Sequence, residues 1–511
     1  MMSAVTDGQQ LEGLRLDELT REIPGGGAVV GDGSVRVRGV RHDSRTVQKG
    51  DLFVARKGER ADGARFVADA VARGAAAVMG AQGTVDVSAV GVPLVVVSDP
   101  AVALAHAASA VYGHPSFSLE VIGITGTNGK TTTAHLIRAA VDGALGRPSC
   151  GILGTVGHSF GDWREPAEHT TPEADDVART MASMRTRGAT HVAMEVSSHA
   201  LELGRVRAVR FRVAALTNLT QDHLDFHASM QAYADAKARL FLELGPGGAV
   251  LNVDDAFGRE LAGRVRTPVV RVSARVGTSA DVVPLHATID ARGIEARVRV
   301  PGGEVAIASR LVGAHNLENL VVALGVAHAL ELDLARAAQA LSGELGAPGR
   351  LERCDGPGDD VIALVDYAHT PDALARVLDA VREVAVGRVW CVFGCGGDRD
   401  PTKRAPMGQA VASRADVAVV TNDNPRTEDP VAIADAVIAG VRAGGKEPMV
   451  ELDRRKAIDL AVRSASQGDV ILVAGKGHED YQIVGTVKHA FDDRTVTRSA
   501  LDSRRRARGG R

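Results

Sequence analysis

The chain has 511 residues, is 45% hydrophobic and 24% charged, and its 60 basic residues against 63 acidic leave a net charge of −3. At roughly 150 residues per domain this predicts about three soluble globular domains, and it excludes a disordered chain. No apolar run approaches the roughly 20 residues of a membrane span, and the charge balance offers no global attraction to nucleic acid or an anionic membrane. Aromatics at 3% weaken a base-stacking surface. Four cysteines cannot make a disulfide scaffold in so long a chain, so a reducing cytoplasm is expected. The polar N-terminal stretch lacks the charged-then-apolar pattern of a secretion leader.

In chain order, strand-like stretches at 35–40 and 51–54 precede an alanine-rich helical stretch at 64–72. Apolar runs at 75–79 and 92–97 and a helix at 101–112 complete a small α/β unit, bounded near Gly113–Ser116 and assigned to residues 1–117. A second domain, 118–349, opens with a strand at 119–124, a glycine-rich turn and a helix at 131–145. Strands at 190–196, 213–217 and 249–253 and a helix at 230–242 then predict a mostly parallel sheet covered on both faces. Residues 282–311 alternate over short lengths, as antiparallel hairpins do, and 315–332 read as a helix. The third domain, 350–511, repeats the theme with strands near 361–365, 389–394, 417–421 and 470–474, a Rossmann-type sheet. The basic tail at 503–511 reads as disordered and solvated rather than as a nucleic-acid arm.

The strongest chemical signal is Gly123-Ile124-Thr125-Gly126-Thr127-Asn128-Gly129-Lys130-Thr131-Thr132, set between an apolar strand and a helix. Glycines let the loop bend until successive backbone N–H groups face one anion, and the helix N-terminus adds a favourable dipole. Lys130 can reach the β/γ-phosphates and the Thr131 hydroxyl can ligate magnesium. Ile124 stands where the general pattern has its first glycine, so a plain tight turn competes with nucleotide binding. Glu195 ends a predicted strand, where ligands and metals gather in parallel sheets, although alone it is equally a surface acid. Cys391 and Cys395 lack a second pair to complete a tetrahedral metal site and read as buried thiols.

The run Gly126–Thr132 resembles the signature of the Mur ligase and folylpolyglutamate synthase superfamily, whose ATP-dependent members join an amino acid to a carboxylate. The resemblance extends along nearly the whole chain through His169-Thr170-Thr171-Pro172, Glu195-Val-Ser197-Ser198-His199-Ala200-Leu201, Asp366-Tyr367-Ala368-His369-Thr370-Pro371 and Asp423-Asn424-Pro425-Arg426. It implies the three-domain Mur ligase architecture: a small N-terminal α/β domain, a central P-loop-type sheet with antiparallel hairpins, and a C-terminal Rossmann-like domain. It also implies addition of meso-diaminopimelate to UDP-N-acetylmuramoyl-L-alanyl-D-glutamate in peptidoglycan synthesis, through an acyl phosphate made from ATP.

Residue by residue, the resemblance implies ATP binding by Gly126, Thr127, Asn128, Gly129, Lys130, Thr131 and Thr132. Asn316 would lie on the adenine side, and Arg350 would meet phosphate. Asp366, Tyr367 and His369 would approach the ribose or the reacting groups, or simply form a structured turn. Magnesium would be held by Thr131, Glu195, His223 and Lys237, the last as a carbamate, which turns a cation into an anion. Ser44 and the stretch Glu59-Arg60-Ala61 would face the uridine end of the nucleotide sugar. Thr170, Thr171, Ser197 and Arg205 would contact its muramoyl-peptide part, with Leu203 where relatives often have glutamine. Arg426, with Arg399, would offer a bidentate partner to the far carboxylate of diaminopimelate, which lysine lacks. Asp423, Asn424 and Pro425 share that turn, while Gly475 and Glu479 would receive the distal ammonium. A lysine-adding relative, a folylpolyglutamate synthase and an inactive ATP-binding cell-wall scaffold are the competing readings. No nucleic-acid partner, no membrane insertion and a monomer are expected.

Overall fold

The computed structural model describes residues 13–58, 62–85, 91–223 and 226–509. The chain divides into two compact units, one made of Met1–Lys130, Leu145–Arg271 and Ala329–Leu332, the other of Thr131–Ala144, Val272–His328 and Asp333–Arg511.

In the first unit, a five-stranded sheet runs in the order Ala28–Val30, Leu94–Val97, Ala77–Ala81, Asp51–Ala55, Gly39–Arg41. All its pairs are parallel except the first. Asp51–Ala55 shows why the sequence settles there. Its side chains alternate between two cores, Leu52 and Val54 joining Leu19, Met79 and Leu104, and Phe53 joining Val67, Val78 and Leu94. A strand buried on both faces reads as an unbroken apolar run.

The same unit holds an eight-stranded sheet. Its parallel centre is Cys150–Gly154, His191–Glu195, Glu120–Thr125, Val213–Leu216 and Gly248–Asn252. Antiparallel strands Gly157–Phe160 and Trp163–Glu165 extend one edge, a feature the sequence reading missed. Register fixes the chemistry here. Glu195 lies opposite Ile124 and Leu216 opposite Thr125, so three adjacent strands release their C-terminal loops side by side.

In the second unit, Val283–Asp290, Gly293–Val300 and Gly303–Ser309 form the expected antiparallel sheet. A six-stranded sheet follows, ordered Glu352–Arg353, Ile362–Asp366, Val470–Ala474, Val389–Phe393, Val417–Val420, Met449–Val450 and parallel beyond its first pair. One face packs Leu364, Cys391, Phe393 and Leu472 against the helix Pro371–Val384, and the other packs Val365, Trp390 and Val473 against Arg454–Ser464.

The tail departs from expectation. Asp493–Gly509 is a helix whose Val496, Ala500 and Leu501 enter the core. Two of its arginines are neutralised in place, Arg504 by Asp360 at 2.8 Å and Arg505 by Asp359 at 2.8 Å. Charge that looks repulsive along the sequence is paired across the fold. No described helix is long and apolar enough to cross a membrane.

Candidate functional site

The phosphate-type loop leaves the strand Glu120–Thr125 and enters the helix Lys130–Leu145. Gly126 has a positive φ, and a Cβ there would lie 1.9 Å from Thr217 Oγ1, so only glycine fits. The adjoining loops brace it. Thr127 Oγ1 accepts from Thr220 N at 2.9 Å and from the Tyr233 hydroxyl at 3.2 Å, and Asn128 N donates to Asn218 Oδ1 at 3.0 Å.

Two lysines converge on one carbonyl. Lys130 Nζ and Lys237 Nζ each donate to Gly126 O at 2.8 Å. Lys237 is 1% exposed on the helix Met230–Leu242, one turn after Tyr233, whose ring centre lies 4.4 Å from its Nζ. Burial, then the charge of Lys130, pushes the Lys237 ammonium well below its ordinary range, against the pull of Asp222. Burial also raises the Tyr233 phenol to about 12. Neither Tyr233 nor this convergence was foreseen; the four-residue spacing of Tyr233 and Lys237 was the available signal.

Glu195, 1% exposed, accepts from Thr155 N at 2.8 Å and Thr155 Oγ1 at 3.1 Å. Thr155 Oγ1 also shares a hydrogen bond with Thr170 Oγ1 at 3.0 Å. Thr171 Oγ1 donates to Glu195 O at 2.8 Å and accepts from Ser197 N at 3.0 Å, while Arg205 Nη1 donates to Thr171 O at 3.0 Å. The four residues expected at the muramoyl-peptide part thus share one network with Glu195. Arg205 is held by Glu173 at 2.7 Å, which also pairs with Arg56 at 2.7 Å. His223 is half-exposed at positive φ, its ring 5.1 Å from that of His199 and 6.0 Å from that of Tyr233.

Ser44 is buried and opens a 3-10 turn beside a cavity of about 470 Å³ lined also by His42, Arg45, Arg56 and Phe66. His42 Nδ1 pairs with Asp175 at 2.8 Å, which lifts the imidazole above its ordinary range against the effect of burial. The stretch Glu59-Arg60-Ala61 lies outside the described residues.

In the second unit, a cavity of about 320 Å³ opens at the C-terminal ends of the six-stranded sheet. Arg399, Asp423, Asn424, Arg426, Gly475 and Glu479 line it, and Pro425 of the expected set is not among its lining residues. Arg426 is fixed at positive φ by its Nη1 donating to Gly397 O at 2.7 Å and its N donating to Ile483 O at 3.2 Å. Ile483 belongs to the hairpin Tyr481–Val484 and Val487–Ala490, which the sequence reading missed.

Tyr367 and His369 line the same cavity. Asp366 is buried, its carboxylate accepting from Leu351 N at 2.7 Å and Ala368 N at 2.8 Å. Burial raises its carboxyl despite Arg350. Arg350 stacks 5.1 Å from the Tyr367 ring centre. Asn316 is buried, donating to Val312 O at 2.8 Å and accepting from Asn319, which accepts from Thr133 at 3.1 Å. Those bonds are internal to the fold. Thr131 and Thr132 are buried in the first turn of the phosphate-loop helix. Cys391 and Cys395 are buried thiols, Cys395 raised to about 12 by burial and set in the cavity wall.

Comparison with known proteins gives these features a lineage. The Mur ligase family catalytic domain matches residues 36–112, the Mur ligase middle domain 124–327, and the Mur ligase glutamate ligase domain 349–477. A UDP-N-acetylmuramoyl-L-alanyl-D-glutamate–2,6-diaminopimelate ligase from Gloeobacter violaceus is 45% identical over 504 residues, 97% of this chain and 99% of that one. Its namesake from Streptomyces coelicolor is 46% identical over 488 residues, 93% of this chain and 94% of that one. A solved structure of a ligase of that name is 32% identical with a TM-score of 0.70, covering 96% of this chain and 99% of that one. MurF from Acinetobacter baumannii, at 19% identity and a TM-score of 0.65 over 97% and 100%, shares the three-domain fold. The chain belongs to the Mur ligase family.

Proposed function

We propose that this protein is an ATP-dependent ligase that adds meso-diaminopimelate to UDP-N-acetylmuramoyl-L-alanyl-D-glutamate. The observation that carries the reading is the 320 Å³ cavity, where the guanidiniums of Arg399 and Arg426 and the carboxylates of Asp423 and Glu479 share one wall set. A diamino dicarboxylic acid matches that pattern with both of its distal charges. Lysine would leave the arginines without a carboxylate, a discrimination of about 2 kcal/mol or more. The nearly full-length similarity to ligases of that name supports the same choice.

A carboxylate is a poor electrophile because its leaving group would be oxide. Transfer of the γ-phosphoryl group of ATP to the D-glutamate side-chain carboxylate makes an acyl phosphate and ADP. The incoming amine attacks the acyl carbon, the amide forms and phosphate leaves. The first step brings two anions together, so the chain must supply positive charge where they meet. Lys130, freed from the loop carbonyls by phosphate, would lie along the β/γ-phosphates beside the loop N–H groups. Arg205, Thr171 and Ser197 would orient the muramoyl peptide, and Ser44 its uridine end. Asn316 would shape the adenine side, and Arg350 would meet phosphate.

Thr131, Glu195, His223 and a carbamylated Lys237 would hold magnesium. Their donors are mainly hard oxygens, which suits that ion. When bound, magnesium adds charge neutralisation at the phosphate oxygens. The buried, readily deprotonated Lys237 supports carbamylation, since only a neutral amine attacks carbon dioxide. We place the nucleotide sugar with residues 1–117, ATP with 118–349 and the amino acid with 350–511, in a cytoplasmic monomer.

The test is phosphate release with ATP, magnesium and the UDP-linked dipeptide, with meso-diaminopimelate and L-lysine in parallel and the product mass measured. Release and a tripeptide product with diaminopimelate alone support the reading. Preference for lysine overturns the selector, and no turnover with either favours the scaffold alternative.

A further inference from the structure

Lys476 has no role in the scheme above, yet it is the most deeply buried cation beside the amino-acid cavity, 0% exposed. It follows the strand Val470–Ala474 and sits between Gly475 and Gly477, both at positive φ. A Cβ on Gly477 would lie 2.6 Å from Tyr367 Cβ and 2.8 Å from Gly349 O, so the turn closes tightly and drives the lysine side chain inward.

Its Nζ donates to Asn424 Oδ1 at 3.0 Å and Glu479 Oε2 at 3.1 Å, and lies 3.5 Å from Asp423 Oδ1. Asn424 closes the ring, its Nδ2 donating to the same Glu479 Oε2 at 3.1 Å and its Oδ1 accepting from Ile483 N at 2.9 Å. Both bonds to Glu479 fall on Oε2, and among the described residues none falls on Oε1. A buried ammonium is tolerated only when paired, and here the partners are the very side chains that line the cavity.

We infer that Lys476 is a positioning residue for the amino-acid substrate: it ties down Oε2 of Glu479 and so presents Oε1 to the distal ammonium. The inference rests on the ligase reading above. Lys476 does not touch substrate; it acts through Glu479. A purely structural ion cluster would instead lower stability and affect all substrates alike.

The test is a double-mutant cycle with Lys476→Met, Glu479→Gln and the pair, scored by phosphate release. Each single variant is expected to raise KM for diaminopimelate about tenfold and to leave KM for ATP within about twofold. On the Glu479→Gln background, Lys476→Met should add no more than about threefold. An unchanged KM for diaminopimelate in Lys476→Met overturns the inference, and so does a full further tenfold loss in the double variant. If Lys476→Met melts below assay temperature, Lys476→Gln, which still donates a hydrogen bond, enters the same cycle. Misfolding of both assigns Lys476 to stability alone and also overturns the inference. Wild-type protein without diaminopimelate-dependent turnover sinks the ligase reading itself, whereas active wild type with an indifferent Lys476→Met sinks only this one.

Discussion

The phosphate loop and the amino-acid cavity both set lysines against carbonyl and carboxylate oxygens, but they balance charge in opposite ways. At the loop, Lys130 and Lys237 crowd onto the single carbonyl of Gly126, and burial, then the charge of Lys130, pushes the Lys237 ammonium down. In the cavity, Lys476 is matched by Asp423, Asn424 and Glu479 within its own domain. Under the proposed function the first region would be completed by phosphate from outside. The second already pairs its buried lysine within the fold, so on that reading it would select by the pattern of its charges. One geometry would then serve phosphoryl transfer, the other discrimination.

Substitutions should separate the two regions. Lys130→Ala is expected to cost about a thousandfold or more in kcat, because charge is lost where it develops. Calorimetry should find diaminopimelate binding intact; a matching loss of binding would mean that the regions are one. Lys237→Ala should lose about a hundredfold in kcat, with partial rescue by short carboxylates that replace the carbamate. Carbon-13 NMR of wild type under labelled carbon dioxide should show one carbamate that Lys237→Ala lacks, and its presence in the variant would break the assignment. Arg426→Ala should lower kcat/KM for diaminopimelate about thirtyfold, with lysine turnover nearly unaffected. An equal loss for both amino acids would remove Arg426 as selector.

The smallest effect concerns the pair of His42 and Asp175. The folded-state pKa of His42 is raised above its ordinary 6.5 beside Asp175, so the stability it contributes is full below that value and lost as pH climbs through the raised one. Asp175 is shifted down from 3.8, so its share is lost only as acid titrates the folded carboxylate. His42→Gln should therefore cost about 1.5 kcal/mol near pH 5 and much less at pH 9, read by denaturant melts. An equal cost at both pH values would deny the charged pair.

Local signals carried much of the interpretation. The phosphate loop lies within one strand–turn–helix, so its glycines, Lys130 and Thr131 stand together in the chain before they stand together in space. The cavity motifs were legible because parallel strands deliver their C-terminal loops to one edge, and each loop carried its own charged residue. That Tyr367 and His369 share a wall with Arg399 and Arg426 was not legible, because a motif names its neighbours along the chain, not the wall it ends up lining.

What the sequence determined by itself was therefore periodic or contiguous: the apolar strands, the helices between them and the phosphate loop. What only the tertiary structure decided depends on partners far along the chain. Lys476 meets Asn424 across 52 positions. Arg505 meets Asp359 across 146, which turns a basic tail into a helix. Lys237 meets the Gly126 carbonyl across 111. The physical reason is common to all three. Burial makes an unpaired charge costly, and only the fold determines which partner comes within reach.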